Sequence, residues 1–197
     1  MITIEPPSTF SITAPAATLS KPISKPGLTR FLNRARTAVG LTGEVDVLLT
    51  SDAELKRLNR AYRGKNKATD VLSFPTPPEI AEVHAGDLAI SLDMAARQAA
   101  VFSHSLEVEV KVLLLHGLLH LDGEDHETDN GEMAAREAEL RSQLKLPVSL
   151  IDRVTNPSPI PSSRKSAEKK TVPKTVPKSV ARTVAKKKVT PAKRGRA

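Results

Sequence analysis

The chain of 197 residues contains no cysteine, which excludes a disulfide framework and any metal site built on thiolates. No apolar run approaches the 18 or so residues that a transmembrane helix requires, so no membrane span and no membrane partner are expected. The first seven residues, MITIEPP, have neither the basic region nor the apolar region of a secretory signal. These three absences favour a cytoplasmic protein.

Basic residues are unevenly distributed along the chain. Residues 157–197 hold 13 Lys and Arg but one acidic residue, a net charge of +12, whereas the remainder of the chain has a net charge of −4. This segment consists mainly of Lys, Pro, Ala, Val and Thr, a composition that cannot bury enough apolar surface to offset the entropy of ordering. We therefore expect a disordered tail that contacts RNA phosphates without sequence preference, with a purely solubilising tail as the alternative.

The most informative segment is residues 116–126, which read HGLLHLDGEDH and contain three of the five histidines. His116 and His120 are four residues apart and would project from one face of a helix. Gly123 follows where a helix commonly ends on a left-handed residue, so the chain can turn back and bring His126 to the same point. Three imidazoles that leave a fourth tetrahedral position for water are typical of catalytic zinc, although nickel, copper or iron would also accept nitrogen ligands.

The same histidine spacing occurs in metzincin proteases, which carry a glutamate directly after the first histidine as general base. In this chain that position is Gly117, which can neither accept nor donate a proton. The residues therefore disfavour a metalloprotease, but a metalloprotease or another zinc hydrolase that uses the three histidines remains an alternative.

Residues 116–126 resemble the signature of the YbeY family of bacterial endoribonucleases, the ribosomal RNA maturation factors, which is H-G-x-L-H-L-x-G-x-D-H. Three further blocks resemble the family in the right order, namely LNRAYRGK at 58–65, TDVLSFP at 69–75 and GDLAIS at 86–91. One departure is Ala68, where many members have proline, and this change softens a turn without touching the chemistry.

The resemblance covers roughly residues 28–146 and leaves both ends of the chain outside it. It divides the chain into a poorly ordered or edge-strand segment at 1–27, a YbeY-like metal-dependent hydrolase domain at 28–146, a linker at 147–156 and the basic tail at 157–197. It implies a zinc-dependent, single-strand-specific endoribonuclease with one Zn²⁺ per chain. It further implies a role in 3′ end maturation of small-subunit ribosomal RNA and in ribosome quality control, with the small ribosomal subunit and its proteins as partners. A non-catalytic ribosome-assembly factor with a structural metal is a further alternative.

Phosphodiester hydrolysis develops an anionic phosphorus centre, so the site also needs a fixed positive charge, which arginine supplies best through its two-pronged guanidinium. Arg63 is the candidate for this catalytic and substrate-binding role, because the resemblance implies an arginine against the metal cleft. Lys65 is predicted to bind a neighbouring phosphate and Lys67 is a further candidate, with a solvated loop surface as the alternative for all three. Asp125 is either a hydrogen-bond acceptor for a ligand's second ring nitrogen or a turn residue.

Apolar periodicity predicts helices at 28–39, 51 or 52 to 59, 92–101, 105–121 and about 130–144, and short strands at 44–50, 71–74 and 87–91. Residues 60–70 are predicted to be a polar loop, and the pairs Glu132–Arg136 and Glu137–Arg141 are expected on the exposed side of the last helix. Helices and short strands are mixed rather than alternating. The predicted fold is therefore α+β, a small mixed sheet packed against helices, with a buried central helix that carries two of the metal-binding histidines.

Overall fold

The computed structural model describes residues 1–5 and 23–147, so the predicted basic tail and all of the predicted linker after Pro147 lie outside the described residues. The strands of the described part are β1 (Ile2–Ile4), β2 (Glu44–Thr50), β3 (Val71–Pro75) and β4 (His84–Ser91). Its helices are α1 (Lys25–Val39), α2 (Asp52–Arg63), α3 (Leu92–Val101), α4 (Leu106–Leu121) and α5 (Glu132–Leu144). Across residues 1–5 and 23–147, no helix has the length and apolar character that crossing a bilayer requires.

The four strands form one mixed sheet in the order β1-β2-β4-β3. Strands β1, β2 and β4 run parallel, and β3 pairs antiparallel with β4. Strand β4 begins at His84 rather than at the predicted Asp87, because His84 pairs with Glu44 of β2 before a register shift. Strand β1 lies at the edge of the sheet, next to β2.

Helix α1 begins three residues before the predicted start, because Ser24 caps it. The Ser24 hydroxyl accepts a hydrogen bond from the Gly27 amide at 3.2 Å, and Pro26 occupies the first turn, where its missing N–H costs nothing. Sequence periodicity detects the apolar face, which starts at Leu28, but not the polar first turn that precedes it.

Helix α2 corrects the predicted loop at 60–70, because it continues through Arg60 and ends at Arg63. Arginine and alanine are good helix formers, and the basic residues of the last turn interact favourably with the C-terminal end of the helix dipole. Gly64 then stops the helix in the left-handed conformation, with φ of +68° and its amide bonded to the Arg60 carbonyl. Arg63 is therefore held by a helix end rather than by a loop.

Helix α4 is the centre of the domain and confirms the predicted α+β architecture. Twelve of its 16 residues are buried, and it contacts α1, α3, α5, β3 and β4. Gly117 permits the close approach to the sheet, since a Cβ there would lie 2.9 Å from Leu88 Cδ2 and 3.2 Å from Val71 Cγ2. The carbonyl of Gly117 accepts a hydrogen bond from the Ser73 hydroxyl at 3.1 Å, which ties the helix to β3.

Candidate metal centre

The three predicted ligands lie together at the C-terminal end of α4. His116, His120 and His126 each offer one nitrogen, and these three nitrogens lie within 4.8 Å of one another. The Nε2 atoms of His116 and His120 are 3.1 Å apart. Two nitrogens bound to one zinc ion at about 2.1 Å lie about 3.4 Å apart, so this spacing suits a shared metal.

The turn after α4 brings the third histidine to the other two, as the sequence predicts. Helix α4 ends at Leu121, and Gly123 follows with φ of +92°, the left-handed conformation expected of it. The Glu124 amide bonds back to the Leu119 carbonyl at 3.1 Å, which reverses the chain direction. The ring centroids of His116 and His126 are consequently 5.1 Å apart, although the residues are ten positions apart in the chain.

Hydrogen bonds fix the orientation of two of the imidazoles. Nδ1 of His116 lies 3.3 Å from Oε1 of Glu137, and Nδ1 of His120 lies 2.8 Å from the backbone carbonyl of Glu124. Both acceptors favour a hydrogen on Nδ1, which leaves the Nε2 lone pair of each ring available to a metal. The outer partners of the site are therefore a buried carboxylate and a backbone carbonyl.

The site matches a bound transition metal on two further counts. Burial, followed by the nearby His116 ring, lowers the pKa of His120, which keeps that imidazole in the neutral form that binds metals. Nδ1 of His126 is buried and has no hydrogen-bond partner within the described part of the chain, an arrangement that is costly unless another group satisfies the ring. Three imidazole ligands without thiolate or carboxylate suit zinc among the transition metals.

Asp125 serves as a turn residue in this structure. Its carboxylate accepts hydrogen bonds from the Glu127 amide at 3.1 Å and from the Thr128 hydroxyl at 3.2 Å. The bond from the Glu127 amide is the main reason that the pKa of Asp125 is lowered. The carboxylate therefore stabilises the turn that contains His126.

Glu137 is the functional residue that the sequence analysis missed. The predicted exposed position was wrong for Glu137, whose side chain is 1% exposed. Met133, Glu137, Leu140 and Leu144 recur at helical spacing and are all buried on one face of α5. An acidic residue within an otherwise apolar stripe was the signal in the sequence, because a carboxylate is rarely buried without a partner.

A cleft of about 890 Å³ opens beside the histidines and is also lined by Arg63. Arg63 is exposed at the end of α2, and within the described residues its guanidinium makes no ion pair or hydrogen bond. Lys65 and Lys67 are exposed but do not line the cleft. The structure thus brings Arg63, but neither lysine, to the cleft that contains the three histidines.

Comparison with known proteins gives the same family as the sequence motifs. A family model described as Endoribonuclease YbeY matches residues 18–145. A curated relative of that name from Koribacter versatilis is 55% identical over 136 residues, covering 69% of this chain and 88% of the relative. Another from Solibacter usitatus is 49% identical over 133 residues, covering 67% and 87% respectively. The chain belongs to the YbeY family of endoribonucleases.

This membership confirms the prediction of an enzyme that cleaves internal phosphodiester bonds of RNA. A solution structure from Thermotoga maritima covers 86% of this chain and all of its own, at 25% identity and a TM-score of 0.46, so the assignment rests on the sequence relatives.

The structure also explains why the YbeY motifs occur together. Residues from the 58–65 and 69–75 blocks line the cleft beside the histidines. Leu88, from the 86–91 block, lies in β4 and packs against α4 at Gly117.

Proposed function

We propose that this chain is a zinc-dependent, single-strand-specific endoribonuclease that processes ribosomal RNA. The observation that carries the proposal is that three histidines and Arg63, which has no ion pair among the described residues, line the same cleft. A nuclease needs both groups, because the substrate carries a negative charge on every phosphate and gains charge at phosphorus during hydrolysis.

His116, His120 and His126 would hold the metal, with Glu137 and the Glu124 carbonyl keeping two of the rings in the binding tautomer. Bound zinc would supply a Lewis acid that polarises the phosphoryl oxygen and lowers the pKa of water. Arg63 would contact the non-bridging oxygens of the scissile phosphate and stabilise the charge that develops on them. Because Arg63 has no ion-pair partner within residues 1–5 and 23–147, no ion pair of that part of the chain must break when RNA binds.

The substrate assignment has support from outside the cleft as well. Lys65 follows the helix end that positions Arg63, and we propose that it binds a phosphate of a neighbouring nucleotide beyond the cleft. The net charge of +12 in residues 157–197 supports a tail that tethers the enzyme to long RNA. On this basis we propose small-subunit ribosomal RNA, matured at its 3′ end, as the substrate, with the small ribosomal subunit and its proteins as partners. We also propose a role in ribosome quality control, and the cytoplasm as the location where these ribosomes are found.

Gly117 argues against a protease that uses the same histidines. A Cβ at the position that a metzincin fills with its catalytic glutamate would lie 2.9 Å from Leu88 Cδ2 and 3.2 Å from Val71 Cγ2, so a side chain there would require these neighbours to shift. In the described residues the cleft has a basic group for a phosphate but no carboxylate at the position of the peptidase base.

The decisive experiment offers the purified full chain three polymers, namely single-stranded RNA, duplex RNA and casein, with added zinc or with a chelator. We expect internal cleavage of single-stranded RNA only, and its loss with the chelator. Cleavage of casein would favour the protease. Cleavage of none of the three polymers at stoichiometric zinc would favour the assembly factor with a structural metal. Equal cleavage of duplex RNA would contradict the single-strand preference.

A further inference from the structure

Aromatic residues are scarce in this chain, yet they are concentrated at the cleft. The sequence contains one tyrosine and four phenylalanines. Three of these five, Tyr62, Phe74 and Phe102, line the cleft that contains the histidines. They come from three separate elements, because Tyr62 lies in α2, Phe74 in β3 and Phe102 directly after α3.

Two of the three residues are exposed to solvent, and the Phe102 ring also stacks on His104 with centroids 6.3 Å apart. Tyr62 is 70% exposed and Phe102 is 41% exposed. The Tyr62 ring meets Phe74 edge to face, with centroids 5.1 Å apart and planes at 69°. Such a contact covers only a small part of the Tyr62 ring, and most of its surface stays accessible from the cleft.

The packing of the core does not explain why an aromatic residue occupies position 62. The apolar contact between α2 and the sheet is made by Leu55, Leu72 and Ala89, with Leu58 and Phe74 packed against them. Tyr62 is not part of that cluster, so its ring adds little to the stability of the domain. The Tyr62 ring stabilises the fold only slightly and lines a cleft beside a cation. Exposed aromatic rings in such positions are typical of ligand-binding sites.

We infer that Tyr62 and Phe102 bind nucleobases of single-stranded RNA by stacking, while Arg63 binds the phosphate between or beside them. Proteins that bind single strands combine basic groups for the backbone with aromatic rings for the bases, and Tyr62 and Arg63 are adjacent in the chain. The bases of a duplex are already stacked on each other and cannot present their faces to a protein ring. The inference rests on the proposed function for the identity of the polymer, and it gives the single-strand preference a structural cause.

Fluorescence of 2-aminopurine tests the inference without requiring turnover. A single-stranded 2′-O-methyl oligonucleotide with 2-aminopurine at successive positions is titrated with the zinc-loaded full chain. We expect quenching at one or two positions with the wild type and with Tyr62→Phe. Tyr62→Leu, which keeps an apolar side chain against Phe74 but has no aromatic face, should lose it at one position. Phe102→Leu should lose it at another.

The KM and kcat of RNA cleavage give a second measurement, which separates base stacking by Tyr62 from a purely structural role of this residue. Tyr62→Leu should raise KM for single-stranded RNA roughly 10-fold, the effect of losing one base–aromatic stack, and change kcat less than KM. Placing an abasic nucleotide at the quenched position should raise KM similarly for the wild type but add little for Tyr62→Leu. Val83→Ala is the matched control, because Val83 is 76% exposed but does not line the cleft.

The outcomes separate this inference from the proposed function. If the wild type cleaves RNA and Tyr62→Leu retains both its quenching and its KM, the stacking role is wrong and the nuclease assignment stands. If the wild type cleaves no RNA, the nuclease assignment fails, and the quenching assay still decides whether a nucleobase stacks on the two rings. Equal loss of quenching in Val83→Ala would also overturn the inference.

Discussion

Nδ1 of His116 lies 3.3 Å from Oε1 of Glu137, and both side chains are buried. The carboxylate is supplied by α5, so the next helix along the chain orients a ligand on α4. Acceptors of this kind fix the tautomer of a metal-binding imidazole and raise its basicity. The metal affinity of the site therefore depends on the docking of α5 as well as on the histidine motif.

Replacing Glu137 by glutamine should weaken metal binding. The amide oxygen can still accept a hydrogen bond but carries no charge, so we expect an affinity loss of about 10- to 100-fold. Competition with a chromophoric chelator measures the change. Glu139→Gln is the matched control, because Glu139 is exposed on the same helix. Equal affinities for the wild type and Glu137→Gln would show that the carboxylate does not tune the metal.

Replacing His120 by alanine should remove most of the metal. Elemental analysis of untagged protein should find about one equivalent of transition metal in the wild type and much less in the variant. His84→Ala serves as the control, since His84 lies in β4 outside the cluster. Undiminished metal in His120→Ala would refute the three-histidine site.

Replacing Arg63 by alanine should slow cleavage without affecting the fold or the metal. The side chain is exposed and makes no intramolecular ion pair among the described residues, so folding should not depend on it. Single-turnover cleavage should fall about 10²- to 10³-fold, as when one preorganised electrostatic donor is lost. Arg63→Lys should recover part of the rate, because an ammonium cannot make the two-pronged contact.

Arg60→Ala is the control for Arg63, because Arg60 is an exposed arginine of the same helix that does not line the cleft. A rate for Arg63→Ala within a few-fold of that of Arg60→Ala would leave catalysis to the metal site alone.

Ending the chain at Asn156 should leave thermal stability and the cleavage of short RNA unchanged. Binding to long RNA should weaken and depend less steeply on salt, because the 13 basic residues beyond this point would no longer displace counterions. Thermal unfolding and binding titrations at several salt concentrations provide the measurements. A large drop in the unfolding temperature would mean that the tail packs on the domain.

The histidine site was predictable because its geometry is local. A four-residue helical spacing and one left-handed glycine are sufficient to bring His116, His120 and His126 together, and both the spacing and the glycine are visible in the sequence. The burial of α4 was predictable for a similar reason, since its apolar residues continue around the helix instead of forming one stripe.

Features that depend on tertiary contacts were harder to predict. The end of α2 was placed too early because charged residues suggested a loop, whereas Gly64 is the residue that stops the helix. The apolar stripe of α5 indicates that Glu137 is buried, but its contact with His116 depends on the packing of α5 against α4, which the stripe does not reveal. The three aromatic rings at the cleft come from elements whose proximity only the folded chain reveals.

The close packing around Gly117 limits which residues this position accepts. A glutamate at this position would provide the base of a peptidase, but even a single Cβ would meet Leu88 and Val71 in the sheet behind α4. Introducing that base would therefore require the Leu88 and Val71 side chains to shift or to be replaced by smaller residues, and a smaller residue alone would leave a cavity in the core. A single substitution that introduces the peptidase base here thus destabilises the fold, although the metal ligands have the spacing found in a protease.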